Sequence, residues 1–279
     1  MGRRHRRGRS VDALLLVDKP SGQSSNRTLQ RVKRLYGAAK AGHTGTLDPL
    51  ATGMLPIMFG EATKLGAWMI DADKAYETTL VLGRTTDTLD ADGATLEVRD
   101  VPAGLDAAAL DAALEPFRGE IEQVPPMVSA IRVDGRRLHE IARAGGHVER
   151  APRRVTIREI RVLSVEPPRA TLAVRCSKGT YVRSLVDDLG RALGCGAHVE
   201  ALRRAWVAPF EGAPMHRLDT LEALADGSPA GGPVGLGAGA PGPGTAALDA
   251  LLLPMDAGVY IVRARGETVE DTQRVILTR

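Results

Sequence analysis

The chain has 279 residues, 43% hydrophobic and 25% charged, enough apolar side chains to bury a sizeable core and too many for wholesale disorder. Its two cysteines, Cys176 and Cys195, exclude a disulfide framework and point to a reducing, cytoplasmic setting. Net charge is +3, but residues 1–10 (MGRRHRRGRS) hold five arginines, and the rest of the chain carries −2; a polyanion site on the body must come from local patches.

In chain order, residues 1–10 read as a disordered basic arm. The apolar run ALLLV (13–17) that follows is flanked by Asp12 and Asp18 and is too short for a secretory core or a membrane span. It reads as a buried strand, with DKPSG (18–22) as a turn. Leu29, Val32, Leu35 and Tyr36 recur at helical spacing, with Ser24 or Ser25 as cap. MLPIMF (54–59) reads as a buried strand and EATKLGAWMI (61–70) as a helix. KAYETTLVLG (74–83) alternates, so Tyr76, Thr78, Leu80 and Leu82 share one strand face. The polar RTTDTLDADG reads as an acidic loop. Leu110, Ala113, Leu114 and Phe117 mark an amphipathic helix.

VSAIRV-DG-RRL predicts strand, turn and helix, and 155–165 and 170–176 read as strands. Val182, Leu185, Val186, Leu189 and Leu193 predict a helix of about four turns with Arg183 on its first turn. HVEALRRAWVAPF (198–210) reads as a strand containing Leu202. Irregular alternation with hairpin signals predicts an α+β fold, a mixed and largely antiparallel sheet flanked by helices. The Gly/Ala/Pro-rich stretch 226–245 cannot build a core and reads as linker. The expected organisation is an arm at 1–10, a main domain at 11–220, a linker at 221–247 and a short C-terminal segment at 248–279. In that segment DALLLPMD is placed to dock on the body, and the remainder to form a hairpin.

Charge is uneven along the chain. Thirteen acids and four basic residues lie between Asp71 and Glu122, and nine arginines and four acids between Arg132 and Arg161. That asymmetry suits a protein with one face turned toward a polyanion. Ordinary solvated surface explains it as well.

Short motifs mostly fail. LDADGAT (89–95) lacks the first and last acids of a calcium loop, and Ala94 interrupts an aspartyl-phosphate DxDGT pattern. No phosphate-binding glycine loop and no GxSxG are present. Cys195-x-x-His198 has metal-like spacing without obvious third and fourth ligands, so both cysteines read as structural. Within GHTGTLDPLATG (42–53), Asp48 before Pro49 suits an Asx-turn or cap. A lone carboxylate also serves as a nucleophile if it is held ionised. An arginine such as Arg183 could supply the cationic partner.

GHTGTLDPLATGMLPIMFGEATK (42–64) resembles the signature of the bacterial tRNA pseudouridine-55 synthases of the TruB type. So do LLLVDKPSGQSSN (14–26), DKAYETTLVLGRTTDTLDADG (73–93), VPPMVSAIRVDGRRLHEIAR (124–143) and SKGTYVRSLVDDLGRALGCGAHVEALRR (177–204). The blocks follow the family's order across residues 12–210. The resemblance implies the pseudouridine synthase catalytic fold and isomerisation of a T-arm uridine of tRNA, with no cofactor and no metal. It implies Asp48 as nucleophile, Arg183 as its ion-pair partner, and Tyr76 as the ring stacked on the flipped base and a candidate for the proton step at C5. His43, Tyr181 and Leu202 match substrate-contacting positions. Lys19-Pro20 and Lys178 belong to flanking motifs with a structural or RNA-contact role. The expected partner is the T-arm stem-loop of tRNA, met by a cytoplasmic monomer without membrane attachment. The short tail departs from relatives that carry a small PUA-like domain. The alternatives are a tRNA-binding folding factor and a synthase with another uridine target.

Overall fold

The computed structural model describes residues 8–129, 131–133, 135–143, 145–146, 148–226, 248–254, 259–265 and 270–276. In chain order the elements begin with β1 (Ala13–Lys19), α1 (Ser25–Leu35), β2 (Ala41–His43), β3 (Thr52–Phe59), α2 (Gly66–Asp71), β4 (Lys74–Leu82), β5 (Arg84–Thr86) and β6 (Thr95–Val98). Next come α3 (Ala107–Leu114), β7 (Gly119–Gln123), β8 (Arg132–Val133), β9 (Arg136–Arg137), α4 (Leu138–Arg143), β10 (Arg153–Glu166) and β11 (Arg169–Cys176). The last are α5 (Val182–Ala192), β12 (Ala197–Val207), β13 (His216–Arg217), α6 (Leu218–Ala225), β14 (Leu253–Pro254), β15 (Val259–Arg265) and β16 (Glu270–Ile276). The fold is α+β and its sheets are largely antiparallel, as the sequence predicts.

The chain divides into two compact units, one of residues 1–70 with 207–279 and the other of residues 71–206. In the first unit β1 pairs antiparallel with β3, and β2 adds to the β3 edge. β13 joins β1 in parallel, and β14 pairs with it antiparallel. Alternate residues Ala13, Leu15 and Val17 of β1 and Leu55, Ile57 and Phe59 of β3 face one core with Leu29 and Val32 of α1 and Tyr36 at its C-terminal cap. That is the period-two pattern of a strand meeting the helical stripe foreseen over 29–36. Ser24 is the cap of α1, accepting from the Arg27 amide at 3.2 Å.

The segment after the glycine-rich stretch closes this core. Leu248 is fully buried in it, the Tyr36 hydroxyl donates to the Leu248 carbonyl at 3.0 Å, and Arg9 binds Asp249 at 2.6 and 3.3 Å. The described part of DALLLPMD, residues 249–254, therefore docks on the body. β15 and β16 form the antiparallel hairpin expected of the tail. Residues 1–7 and the linker core lie outside the described residues, whereas Arg9 already exchanges backbone hydrogen bonds with Gly37 and Ala39.

Residues 61–70 do not form one helix. A 3₁₀ turn spans Gly60–Leu65 and the short α2 follows. Gly60 adopts φ +53° with its Cα against Asp12, whose carboxylate accepts from the Glu61 amide at 2.7 Å. That contact fixes a tight entry that a longer α-helix does not share.

In the second unit the sheet order is β12-β4-β11-β10-β7. Lys74, Thr78, Leu80 and Leu82 of β4 turn inward, opposite Cys176, Leu172 and Ala170 of β11. RTTDTLDADG is not a plain loop, because Arg84–Thr86 and Thr95–Val98 pair as a hairpin. α5 runs three turns rather than four. It ends at Leu193 and Gly194, and Gly190 lies so close to Ala197 that a Cβ there would meet its amide at 2.2 Å. Among the described residues, no helix is long and apolar enough to cross a membrane.

Candidate active site

Asp48 and His43 lie in the first unit; Tyr76, Tyr181, Arg183 and Leu202 lie in the second.

Asp48 sits half-buried on the loop between β2 and β3, and that loop is tied down by backbone contacts. Beside it, the Leu47 amide donates to the Ser25 hydroxyl at 2.8 Å and the Leu47 carbonyl accepts from that hydroxyl at 3.1 Å. Past it, the Ala51 amide closes a turn on the Asp48 carbonyl at 3.1 Å, and the Gly22 amide donates to the Pro49 carbonyl at 2.9 Å. Ser21 donates to the Leu50 carbonyl at 3.0 Å. Lys19 has no exposed surface, and its ammonium donates to the carbonyls of Gln23 at 2.7 Å, Pro20 at 2.9 Å and Pro49 at 3.3 Å. Lys19 is thus a structural clamp between the 19–23 turn and the Asp48 loop, and its burial keeps it away from any surface ligand. A rigid loop of this kind gives a carboxylate one direction at little further entropy cost. His43 ends β2 opposite Ile57.

In the second unit Tyr76 is half-buried on β4, opposite Val174 of β11. The adjacent β12 carries Leu202, which is buried, and the Thr78 hydroxyl fixes the two strands by donating to the Ala201 carbonyl at 3.0 Å. Tyr181 is the residue before α5. Its amide donates to the Gln123 side-chain carbonyl at 2.7 Å, and its own carbonyl accepts from the Gln123 amide group at 3.0 Å. This reciprocal pair sets the start of α5 and so the position of Arg183.

Arg183 is 3% exposed. Its guanidinium donates to the carbonyls of Thr88 and Val128, both at 2.8 Å, and meets the Asp90 carboxylate at 3.3 Å. Asp90 is itself 5% exposed and accepts from the Thr88 hydroxyl and, at 3.2 Å, from the Asp92 amide. A cation this deep needs an anion and aligned acceptors, and this one has both. The loop that presents Asp90 is pinned to β12, where the Ala91 amide donates to the Val199 carbonyl and the Val199 amide to the Leu89 carbonyl. Leu89 takes φ +63° to turn the chain there.

Asp90 is the residue that sequence reasoning missed, since LDADG read as an acidic turn. The sequence does not mark it among the neighbouring acids, and only the fold distinguishes it. Lys178, by contrast, is exposed and pairs with Asp71 at 2.9 Å.

Two residues before Tyr76, Lys74 is 7% exposed. Burial first, then the charge of Arg204, brings its ammonium down to about 8, while burial pushes the facing Cys176 thiol up to about 11. Cys195 and His198 have structural roles. The Cys195 thiol donates to the Gly196 carbonyl at 3.4 Å, and the His198 ring bonds the Arg84 carbonyl at 3.0 Å. Among the described residues, no cluster of three His, Cys, Asp or Glu side chains could hold a metal.

Two family models match in succession: the TruB family pseudouridylate synthase N-terminal domain over residues 33–182, and the tRNA pseudouridylate synthase B C-terminal domain over 183–260. The chain is 58% identical over 221 residues to tRNA pseudouridine synthase B of Chromohalobacter salexigens, covering 79% of this chain and 72% of that protein. It is 54% identical over 252 residues to the Pseudomonas aeruginosa protein of the same name, covering 90% and 77%. Among solved structures it is similar to a chain of a Cbf5–Nop10–Gar1 complex, with TM-score 0.62 and 27% identity over 87% of this chain. It spans 60% of that longer chain.

Proposed function

Because the chain belongs to the TruB family of pseudouridylate synthases and is therefore an isomerase, we propose that it converts uridine 55 in the T-arm loop of tRNA to pseudouridine. Asp48 is the nucleophile, Arg183 its cationic partner and Tyr76 the ring that receives the flipped base. His43, Tyr181 and Leu202 line the pocket.

The observation that carries this reading is the fixed Asp48 loop, with Lys19 and Ser25 holding the backbone on either side of the carboxylate. A uridine inside a stacked loop is out of reach of a side chain, so the base must leave the stack and be held by an aromatic face. Tyr76 supports that role, because a strand gives its ring a set direction and its half-burial leaves a face accessible. Arg183 supports the electrostatic role. Already desolvated and oriented by two carbonyls and Asp90, it needs no reorganisation to favour an ionised carboxylate.

The reaction is an isomerisation. The N1–C1′ bond breaks, the uracil turns, a C5–C1′ bond forms, the C5 proton leaves and N1 gains a proton. No electrons enter or leave, so no cofactor is required. Attack by Asp48 at the ribose C1′ or at the uracil C6 begins from the same ionised carboxylate. The protein acts as a monomer in the cytoplasm on tRNA, using basic side chains on phosphates to set the register.

The test uses an unmodified T-arm stem-loop carrying tritium at C5 of the target uridine, with no added metal or nucleotide. Tritium is released by the native protein and not by Asp48→Asn, which binds the RNA within a few-fold of native. Turnover by Asp48→Asn overturns the nucleophile, and binding without release favours a folding factor.

A further inference from the structure

The chain has only two tryptophans, and neither is in a core: Trp68 is 43% exposed and Trp206 is half-buried at the end of β12. Trp206 is held from outside. The Arg175 guanidinium lies over its ring at 5.6 Å from the centroid. The two side chains come from strands on either side of β4, and the residue of β4 directly opposite Arg175 is Ala75. An alanine there leaves the room across which arginine and indole meet. Tyr76, the next residue, pairs with Val174 and turns to the other face of the sheet.

The acids of the Arg175 face are mostly engaged. Glu200 holds Arg169 at 2.7 and 2.8 Å, and Glu159, opposite Arg175, holds Arg161 at 2.9 Å. Glu77, opposite Ala173, is exposed. It disfavours a phosphate over the middle of the face and leaves the Arg175 end the more positive. Exposing a large indole costs apolar hydration free energy, and capping it with a cation makes a flat, positively charged plate. Such a plate suits the face of an unpaired base, and the free edge of the guanidinium suits a neighbouring phosphate.

We propose that Arg175 and Trp206 form a second stacking site, on the face of the sheet opposite Tyr76, for an unpaired nucleotide of the tRNA substrate outside its T-arm stem-loop. This rests on the tRNA reading above. A contact on the far face reaches RNA that a minimal hairpin does not contain, so it discriminates full-length tRNA from the hairpin without touching the chemistry.

The test starts from Trp68→Phe, in which Trp206 is the remaining tryptophan. Full-length tRNA quenches its fluorescence at saturation, and the T-arm hairpin does not. Trp206→Leu and Arg175→Gln each weaken full-length tRNA binding by about tenfold. The arginine variant also lowers the salt slope by about one. Both leave hairpin turnover at the native rate, which also reports that the fold is intact. Absence of quenching, an unchanged affinity for full-length tRNA, or an equal loss on the hairpin overturns the site. Quenching of Trp68→Phe by tRNA, with no tritium released from the hairpin by the native protein, strikes the T-arm assignment and leaves this one standing.

Discussion

Arg183 and Asp90 show how much a single buried pair can fix. An arginine at 3% exposure with two carbonyls and one carboxylate around it is held in one orientation. Replacing Asp90 with Asn preserves shape and one acceptor but leaves the cation without this anion. On the proposed roles of Arg183 and Asp48, we expect Asp90→Asn to lower kcat by roughly tenfold or more while RNA affinity stays within a few-fold, because the loss falls on the electrostatics of the proposed nucleophile. Single-turnover tritium release beside a filter-binding titration checks it. An unchanged kcat would show that Asp90 is not needed to position Arg183. Asp90→Ala is the harsher change. It removes the Asp90 carboxylate from beside a buried cation and is expected to destabilise the fold by about 3–5 kcal/mol.

Among the elements, the Asp48 loop is stiffened by its neighbours and not by its own sequence. Its glycines and threonines predict mobility, yet α1 lends Ser25 and the end of β1 lends Lys19. Lys19→Met keeps the length of the side chain and removes the three donated hydrogen bonds. The carbonyls of Pro20, Gln23 and Pro49 then lose a charged donor inside the fold. We expect about 2–4 kcal/mol of lost stability and a drop in kcat larger than any change in RNA affinity, as Asp48 loses its direction. Thermal melts and tritium release read the two effects separately. A variant with native kcat would mean that Ser25 suffices to hold the loop.

The same logic of support from outside holds for α5, whose start is set by Gln123 of β7 and whose C-terminal half rests against the Gly196–Ala197 turn through Gly190. Helical periodicity finds α5 but neither partner, one on a strand distant in sequence and the other in the turn that follows the helix.

Across the molecule, stability in mild base depends on Lys74 and Cys176, which face each other on β4 and β11. Lys74 falls from 10.5 to about 8 in the fold, so from pH 8 to 10.5 the unfolded chain binds more protons and stability rises with pH. Cys176 goes from 9.0 to about 11, so above pH 9 the unfolded chain loses its thiol proton first and stability falls. The two oppose above pH 9, leaving a net gain between pH 8 and 9 on the order of 1 kcal/mol. Urea unfolding at pH 7.5, 8.5 and 9.5 is expected to show that rise in the native protein and not in Lys74→Met. A native protein with no rise would place Lys74 in contact with water.

The sequence by itself determined the family, the α+β class and most element positions, because period-two and helical stripes record which side chains must leave water. It also supplied the residues on which the proposed chemistry rests, since five ordered blocks carry Asp48, Tyr76 and Arg183. Tertiary structure decided what those patterns cannot encode. Residues 61–70 broke into a 3₁₀ turn and a short helix because Gly60 packs against Asp12. The acidic loop folded into a hairpin that hands Asp90 to Arg183, and Lys19 became a buried clamp instead of a surface contact. Each of these depends on a partner distant along the chain. Local periodicity reports only a residue's own preference for water or core, whereas the identity of the neighbour that satisfies a buried charge is set when the strands and helices pack.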